Sequence, residues 1–213
     1  MKKILLILTV LFQTFIFAQN EAAAKKLLDD VSSNIQKYDH IYIKFDYSLV
    51  NKEAGVEQNN HGDLTIQGEK YNVNFFGTIQ IFDGDKTYTI IPENEEVNIS
   101  AASDDNEDTL TPQKFYTFYK KGYSYSLGNK KQIKGKNIQF VKLIPIDSNS
   151  DIAEVKIGID QKSNNIYTII EKGKNETLTI LTVKKFKTDQ KIKDDLFKFD
   201  RKKYEDLGYM IND

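Results

Sequence analysis

Residues 79–100, IQIFDGDKTYTIIPENEEVNIS, constrain the fold more than any other part of this chain. Apolar side chains recur there at every second position, in the pairs Ile79/Ile81, Tyr88/Ile90 and Val97/Ile99. A period of two is typical of β-strands, whose successive side chains point to opposite faces of a sheet. Asp83-Gly84 and Pro92 favour turns between the three runs. The segment is therefore predicted to be a meander of three short strands with one apolar face that something must cover.

The same period of two recurs through most of the chain. It begins at Ile41 and continues, with polar turns between the runs, to Val183, which indicates about ten or eleven strands. The connections are too short for crossover helices, so the sheet is predicted to be antiparallel. Two main helices are expected, an amphipathic one from Glu21 to Tyr38 and another that begins at Thr111-Pro112. A sheet of this many strands usually curls, and the helices are then left to cover its open side.

The N-terminus has the features of a secretory signal peptide. Lys2-Lys3 precede an apolar run from Ile4 to Phe12, and Ala18 offers a small residue for cleavage. The apolar run is shorter than the ~20 residues that a membrane-spanning helix needs. We therefore expect residues 1–18 to be removed by cleavage after Ala18, which leaves residues 19–213 as a single domain in the periplasm.

Composition argues against several classes of function. The chain has no cysteine, which removes disulfides, thiolate nucleophiles, cysteine-based zinc sites and lipid attachment to cysteine. Loss of Lys2 and Lys3 would change the formal net charge from -1 to -3. This weakly acidic balance gives no reason to expect nucleic acid or an anionic membrane as a partner.

No catalytic, metal or cofactor site is predicted. The two histidines, His40 and His61, lie in polar surroundings and lack the companions of a hydrolytic triad or a zinc site. Residues 104–108 alternate like the start of a calcium loop, but Thr109 and Phe115 stand where that loop needs glycine and glutamate. The protein is therefore expected not to be an enzyme.

Several short segments resemble those of a known family in their order and spacing. They are Leu27-Leu28-Asp29-Asp30-Val31, Gly62-Asp63-Leu64, Phe82 to Tyr88 with Pro92, Leu143-Ile144-Pro145, Ile159-Asp160 and Phe197-Lys198-Phe199. The family is that of the periplasmic outer-membrane lipoprotein carriers, LolA-like, and the resemblance extends over nearly all of residues 19–213. It implies a mainly β (α+β) fold, an incomplete antiparallel β-barrel whose hydrophobic concave face is covered by helices.

The resemblance also implies a function. Members of the family shield the acyl chains of lipoproteins in a hydrophobic cavity and carry them from the inner to the outer membrane. The implied partners are acylated lipoproteins or other lipids, an inner-membrane lipoprotein-releasing transporter and an outer-membrane receptor, and the carrier is expected to be a monomer. One departure concerns an early-strand arginine that helps to close the helical lid. The only arginine here is Arg201, and Lys70, a possible substitute, lacks the planar fork of a guanidinium.

The alternation and the resemblance together indicate candidate residues for a cavity and its lid. The predicted cavity lining is Phe45, Tyr47, Leu64, Ile66, Tyr71, Val73, Phe75 and Ile90. The predicted helical lid is Leu27, Leu28, Val31, Phe115, Phe118 and Tyr119. A cavity wall and a closed core show the same alternation, so two alternatives stay open. One is an exported protein-binding module with a solid core, and the other is a non-enzymatic carrier of another lipid or a glycolipid.

Overall fold

A computed structural model describes residues 20–101, 117–193 and 195–213 of the protein. The strands are β1 (His40–Asn51), β2 (Val56–Gln67), β3 (Lys70–Phe75), β4 (Thr78–Phe82), β5 (Lys86–Ile91), β6 (Glu96–Ala101), β7 (Tyr123–Ile133), β8 (Lys136–Pro145), β9 (Ile152–Asp160), β10 (Asn165–Gly173), β11 (Leu178–Thr188) and β12 (Met210–Asn212). The helices are α1 (residues 20–35) and α2 (Arg201–Asp206), with 3₁₀ turns at Pro92–Asn94 and Phe118–Lys120. The predicted cleavage site after Ala18, the predicted helix from Thr111 and the lid residue Phe115 lie outside the described residues.

The strands form one sheet in the order β12-β6-β5-β4-β3-β2-β1-β11-β10-β9-β8-β7. The hairpins from β2 to β6 and from β7 to β10 pair in antiparallel fashion, whereas β12 runs parallel to β6. The sheet is open, because β12 and β7 stand at its two ends and do not pair with each other. The predicted class, mainly β with an unclosed antiparallel sheet, is confirmed. The sheet has twelve strands, more than the ten or eleven that the sequence indicates, because of the short β12.

The chain divides into two compact units. The first contains α1, Val50–Val56 and Tyr119–Ile180, and we call it the helical unit. The second contains Gln36–Leu49, the described part of Glu57–Phe118, and Leu181–Asp213, and we call it the meander unit. The single domain over residues 19–213 stays a prediction.

In the helical unit, α1 is amphipathic, as predicted. Its buried side chains are Ala24, Leu28, Val31 and Ile35, spaced at four, three and four. The exposed side carries the ion pairs Lys25–Asp29 and Lys26–Asp30, each closed at 2.7 Å between residues four apart. The helix ends at residue 35, before the predicted boundary. Tyr38 instead packs edge-on against Phe186 within the meander unit, with ring centroids 6.1 Å apart.

The two faces of β8 and β9 in the helical unit differ in polarity. On one face the cross-strand pairs Val141/Ile157 and Leu143/Val155 are buried. On the other face Lys142 lies directly opposite Lys156, and Glu154 contacts both ammonium groups, at 2.6 and 2.5 Å. This carboxylate offsets the repulsion that like charges on paired strands would otherwise cause. The second face is ionic only at this end, because Ile138 and Phe140, which share it with Lys142, are buried.

In the meander unit, the predicted meander is formed by β4, β5 and β6. Its apolar side chains lie on one face, which we call the covered face, and they are Ile79, Ile81, Tyr88, Ile90, Val97 and Ile99. Their cover is the C-terminal segment, which contributes Phe199, Tyr204, Tyr209 and Ile211. The rings of Tyr88, Phe199 and Tyr204 stack in series, with centroids 4.6 and 5.4 Å apart. The apolar side of the meander is therefore the face of a filled core.

Candidate functional site

A second apolar surface lies on the opposite side of the same sheet. It is built by β1, β2 and β3 of the meander unit, and we call it the aromatic face. Its members are Phe45, Tyr47, Leu64, Ile66, Tyr71, Val73 and Phe75. These are seven of the eight predicted lining residues, so the structure brings nearly the whole predicted set together on one surface.

Cross-strand register places the β2 and β3 members on this face. Ile66 pairs with Tyr71 and Leu64 pairs with Val73, while Gly62 pairs with Phe75. Paired residues of antiparallel strands point to the same side, which puts their side chains in contact. Four members are buried, and Tyr47, Val73 and Phe75 are half-buried.

Phe45 and Tyr47 of β1 join this surface through ring contacts. The Phe45 and Tyr47 ring centroids lie 5.3 and 5.2 Å from that of Phe75. The Phe45 ring also lies over Gly62, where an added Cβ would come within 2.6 Å of Cζ of Phe45 and 2.7 Å of the carbonyl oxygen of Asn74. Glycine is therefore required at position 62, because it lets a buried aromatic ring lie directly on the β2 backbone.

The aromatic face has a polar border within the sheet. The row that starts at Val73 continues across β4, β5 and β6 through Gln80, Thr89 and Asn98. The amide oxygen of Gln80 accepts a hydrogen bond of 3.4 Å from the Tyr71 hydroxyl. This side is thus mainly apolar on the early strands, with Phe82 and Ile91 as its apolar residues on β4 and β5, while the opposite side is apolar on the later strands.

Ile90 is separated from the other predicted lining residues. It pairs with Ile79 and Val97 on the covered face, where it is 1% exposed. Residues one apart in a strand point to opposite sides, and the register carries the aromatic face through Thr89 and not through Ile90. Ile90 therefore packs in the filled core beneath the C-terminal segment.

Of the predicted lid residues that the structure describes, four belong to the helical unit, and Phe118 belongs to the meander unit. Leu28 and Val31 are buried, and Leu27 is half-buried. Tyr119 is 2% exposed, and its hydroxyl donates a 2.8 Å hydrogen bond to the carbonyl oxygen of Leu28. Burial, together with the nearby Asp29 carboxylate, raises the pKa of Tyr119 to about 12, so the hydroxyl remains a donor at neutral pH. Phe118, the neighbour of Tyr119 in a 3₁₀ turn, is half-buried.

Sequence reasoning missed two rings that contact the aromatic face, Phe82, which stacks on Tyr71 with centroids 5.5 Å apart, and Phe76. Phe76 follows Phe75 at the end of β3, and the two ring centroids lie 4.3 Å apart. Its ring also lies 5.4 Å from that of Tyr47, yet 49% of the residue is exposed. For Phe76 the available signal was the Phe-Phe-Gly triplet. A residue directly before a turn glycine lies at the end of its strand, so this triplet places the second ring in the turn and not in the buried part of the strand.

A polar cleft of about 860 Å³ lies elsewhere in the meander unit. Its charged side chains are Asp39, Lys70, Asp83, Asp85, Asp189, Lys191, Lys193 and Lys198. Burial disfavours the Asp83 carboxylate, but bonds from the backbone N–H groups of Lys86 and Asp85 and from the Tyr88 hydroxyl hold its pKa below the usual value. The mixed charges make this cleft a poor container for an acyl chain.

Lys70, the possible substitute for the lid-closing arginine, lines this polar cleft. It precedes Tyr71 in β3, so its side chain leaves the sheet on the side opposite the aromatic face. Asp83 is close enough to be stabilised by its positive charge. Lys70 thus belongs to the surroundings of the Asp83-Gly84 turn.

The described residues contain neither a cluster of metal ligands nor a membrane-spanning helix. No three His, Asp or Glu side chains there lie close enough together to hold a metal ion. No helix among the same residues is long and apolar enough to cross a membrane.

Comparisons with known proteins agree with this architecture. A crystal structure of an uncharacterised conserved protein from Thermus thermophilus superposes with a TM-score of 0.60 at 9% identity, over 89% of this chain and 98% of that one. The Mycobacterium tuberculosis lipoprotein LppX superposes with a TM-score of 0.51 at 10% identity, over 81% and 100% of the two chains. At these identities the likeness shows the fold alone. No curated protein matches the sequence.

The sequence itself matches a protein family. The family described as outer membrane lipoprotein carrier protein LolA matches residues 14–175, which is well over half of the chain. The matched part includes the strands of the aromatic face and the meander. This protein therefore belongs to the LolA family of outer membrane lipoprotein carrier proteins.

Proposed function

We propose that this protein is a non-enzymatic carrier that shields the acyl chains of lipoproteins on its aromatic face. The observation that carries the proposal is the continuous apolar surface of β1, β2 and β3, which has half-buried aromatic members and a polar border. Family membership supports the same conclusion. The carrier is exported, is released by cleavage after Ala18, and acts as a monomer in the periplasm.

The energetics of acyl chains explain why such a surface is needed. Each methylene that leaves water contributes about 0.8 kcal/mol, so a sixteen-carbon chain contributes on the order of 12 kcal/mol. A lipoprotein would not cross an aqueous compartment without an apolar cover for these chains. The carrier must also release its cargo, and an affinity near the non-covalent ceiling of about -18 kcal/mol would prevent release. A partly accessible face suits reversible binding better than an enclosed cavity.

A charge placed on the aromatic face provides the direct test. We expect Phe75→Asp to weaken the binding of a fluorescent acyl probe at least about tenfold, because the acyl chain would have to desolvate a carboxylate. The matched control is Asn74→Asp, which adds the same charge one residue earlier, on the opposite side of β3 where the residue is exposed. Equal binding by the two variants would contradict the proposal, as would a wild-type protein that binds no probe.

The cargo and its direction of transport are tested in cells. We expect depletion of the protein to leave outer-membrane lipoproteins at the inner membrane, because the transporter that releases them would lack an acceptor. Mass spectrometry of lipids and lipoproteins that co-purify with the periplasmic protein identifies the cargo directly. Unchanged lipoprotein sorting together with a bound lipid would identify a carrier of another lipid or a glycolipid.

A further inference from the structure

The turn between β3 and β4 is unusual in sequence and in conformation. It contains only Phe76 and Gly77, with φ of 52° and 73°. Two consecutive left-handed residues define the tight hairpin turn in which Asn-Gly and Asp-Gly predominate. A phenylalanine in this conformation is sterically strained, at a cost of about 1 kcal/mol or more. The chain nevertheless places a large apolar ring at the most projecting position of the hairpin.

The hairpin that carries this ring has no charged residue after Lys70. Residues 71–82, the whole β3–β4 hairpin after Lys70, contain no Asp, Glu, Lys or Arg, although 29% of the chain is charged. Apart from the N-terminal segment, no other stretch of the chain is uncharged over this length. On β2, Gly62 is preceded by His61 and Asn60, so no Asp, Glu, Lys or Arg stands at these two positions either. A charge-free surface of this kind can leave water without desolvating an ion.

A chain of rings links the exposed turn to the buried part of the aromatic face. Phe76 contacts Phe75 and Tyr47, and both of these contact one another. Phe75 also contacts Phe45, which is 7% exposed. The exposure thus falls from the turn inward along one continuous aromatic path. An acyl chain that left the bilayer at the turn would meet apolar side chains along this whole path.

We propose that the hairpin tip, residues 75–77, is a membrane-contact element that inserts the Phe76 ring into the interface of an uncharged bilayer. Aromatic side chains favour the headgroup region, and their burial there adds to binding without electrostatic attraction. The inference extends the proposed carrier function, since it identifies where the carrier meets the membrane that holds its cargo.

The absence of tryptophan from the chain makes a direct test available. In Phe76→Trp the only indole reports on the hairpin tip, and its emission should shift to the blue when vesicles of phosphatidylcholine and phosphatidylethanolamine are added. The matched control is Met210→Trp, at a residue of the same unit that is 67% exposed. Its emission should not change. An equal shift in both variants, or a shift in neither, would overturn the proposal.

A second variant measures how much the ring contributes. Phe76→Asn removes the ring, and asparagine tolerates the left-handed backbone conformation at this position. The relief of backbone strain therefore compensates for the lost ring contacts, and we expect the variant to fold. We expect the partition of the exported protein onto the same neutral vesicles to fall roughly tenfold. Phosphatidylglycerol should not increase wild-type binding more than about twofold, because the tip has no cation. Unchanged partition of the variant, or binding only to anionic vesicles, would contradict the inference.

The acyl-probe assay separates this inference from the carrier function. Phe76→Asn should weaken the binding of a soluble acyl probe much less than Phe75→Asp does, because the buried members of the aromatic face are intact. If the wild type binds vesicles but neither protein binds the acyl probe, the carrier function is refuted and the membrane contact stands. Loss of vesicle binding in the wild type, with probe binding retained, would do the reverse.

Discussion

The two faces of the meander unit have the same alternation of side chains but different surroundings. On the covered face Ile90 and Val97 are completely enclosed, and the enclosing residues belong to the last part of the same chain. On the aromatic face four members are buried, while Tyr47, Val73 and Phe75 are half-buried and the adjoining Phe76 is 49% exposed. Both faces thus have buried and half-buried members, and they differ in that the aromatic face continues into the exposed ring of Phe76, whereas the C-terminal segment packs on the covered face.

The C-terminal segment explains why the covered face is filled. Asp200 caps α2 by accepting a hydrogen bond from the backbone N–H of Lys203, and β12 then extends the sheet beside β6. Phe199, directly before the cap, stacks on Tyr88, and Tyr204 of α2 stacks on Phe199; each such ring pair contributes about 0.5 to 1.5 kcal/mol beyond its buried area. A ligand could enter this face only by displacing the stacked rings, which makes it the stable side of the sheet.

The largest predicted effect contrasts two neighbouring isoleucines of β5. Ile90→Ala should lower the free energy of unfolding by about 3 to 4 kcal/mol, because the cavity it leaves is enclosed on all sides. Ile91→Ala, on the opposite side of the strand where the residue is half-buried, should cost only about 1 kcal/mol. Urea denaturation measures both values. Equal losses would show that the two faces are equally packed and would remove the contrast.

An intermediate effect is expected on the aromatic face at Gly62. Gly62→Ala should destabilise the protein by about 2 kcal/mol, since the added methyl group meets both the Phe45 ring and a β3 carbonyl oxygen. Gly128→Ala is the control, because the nearest atom to its added Cβ would be Cβ of Phe140 at 3.2 Å. Thermal unfolding should show a smaller shift for this control. A harmless Gly62→Ala would mean that Phe45 does not lie on the β2 backbone.

The smallest effect concerns the hydrogen bond between the Tyr88 hydroxyl and Asp83, which is 2.9 Å long. Tyr88→Phe should cost about 1 kcal/mol at neutral pH. The folded protein lowers the pKa of Asp83, so the stability that its carboxylate contributes is present above the unfolded value of about 3.9 and is lost as the pH falls through the folded value.

The stability difference between wild type and Tyr88→Phe should therefore shrink as the pH falls below about 4. At alkaline pH the stability of the wild type is instead lost as the pH rises. Burial, with help from Asp83, raises the pKa of Tyr88 to about 12, so the wild type loses stability above the ordinary tyrosine value of about 10 while the variant lacks this loss. Chemical denaturation across pH tests the acidic and the alkaline prediction, with Tyr204→Phe as the control from the same ring stack. A difference that does not vary with pH would contradict them.

Much of the fold was predictable because its signals are local. The 3.6-residue period of α1 and the two-residue period of β1 depend only on side chains a few positions apart, and both elements are present. Seven of the predicted lining residues lie on one surface because the hairpin register keeps each strand's period in step with the next, while their role as a lining stays a prediction. Strand boundaries and the end of α1 were less well predicted, since Tyr38 leaves the helix to pack on Phe186.

Ile90 and Phe76 show what local signals could not supply. Ile90 follows the two-residue period of β5. Whether it lies on the same side of the sheet as Leu64 depends on the register of three successive hairpins, from β2 to β5. The C-terminal segment that covers Ile90 has no single period, because its rings pack from a short helix and two extended stretches. Phe76 lies in a turn, where the pattern predicts glycine or asparagine rather than an aromatic ring.

The sequence by itself determined the class of the fold, the antiparallel strand succession, the amphipathic helix and the family, because these follow from short-range periods and from motifs in order. The tertiary structure alone decided which apolar face is filled and which keeps accessible rings. The physical reason is that alternation specifies two faces for every strand, whereas the cover of a face comes from residues more than a hundred positions away, as Phe199 does for Tyr88. Burial is therefore a property of the packed chain, and the difference between the two faces arises only in the tertiary structure.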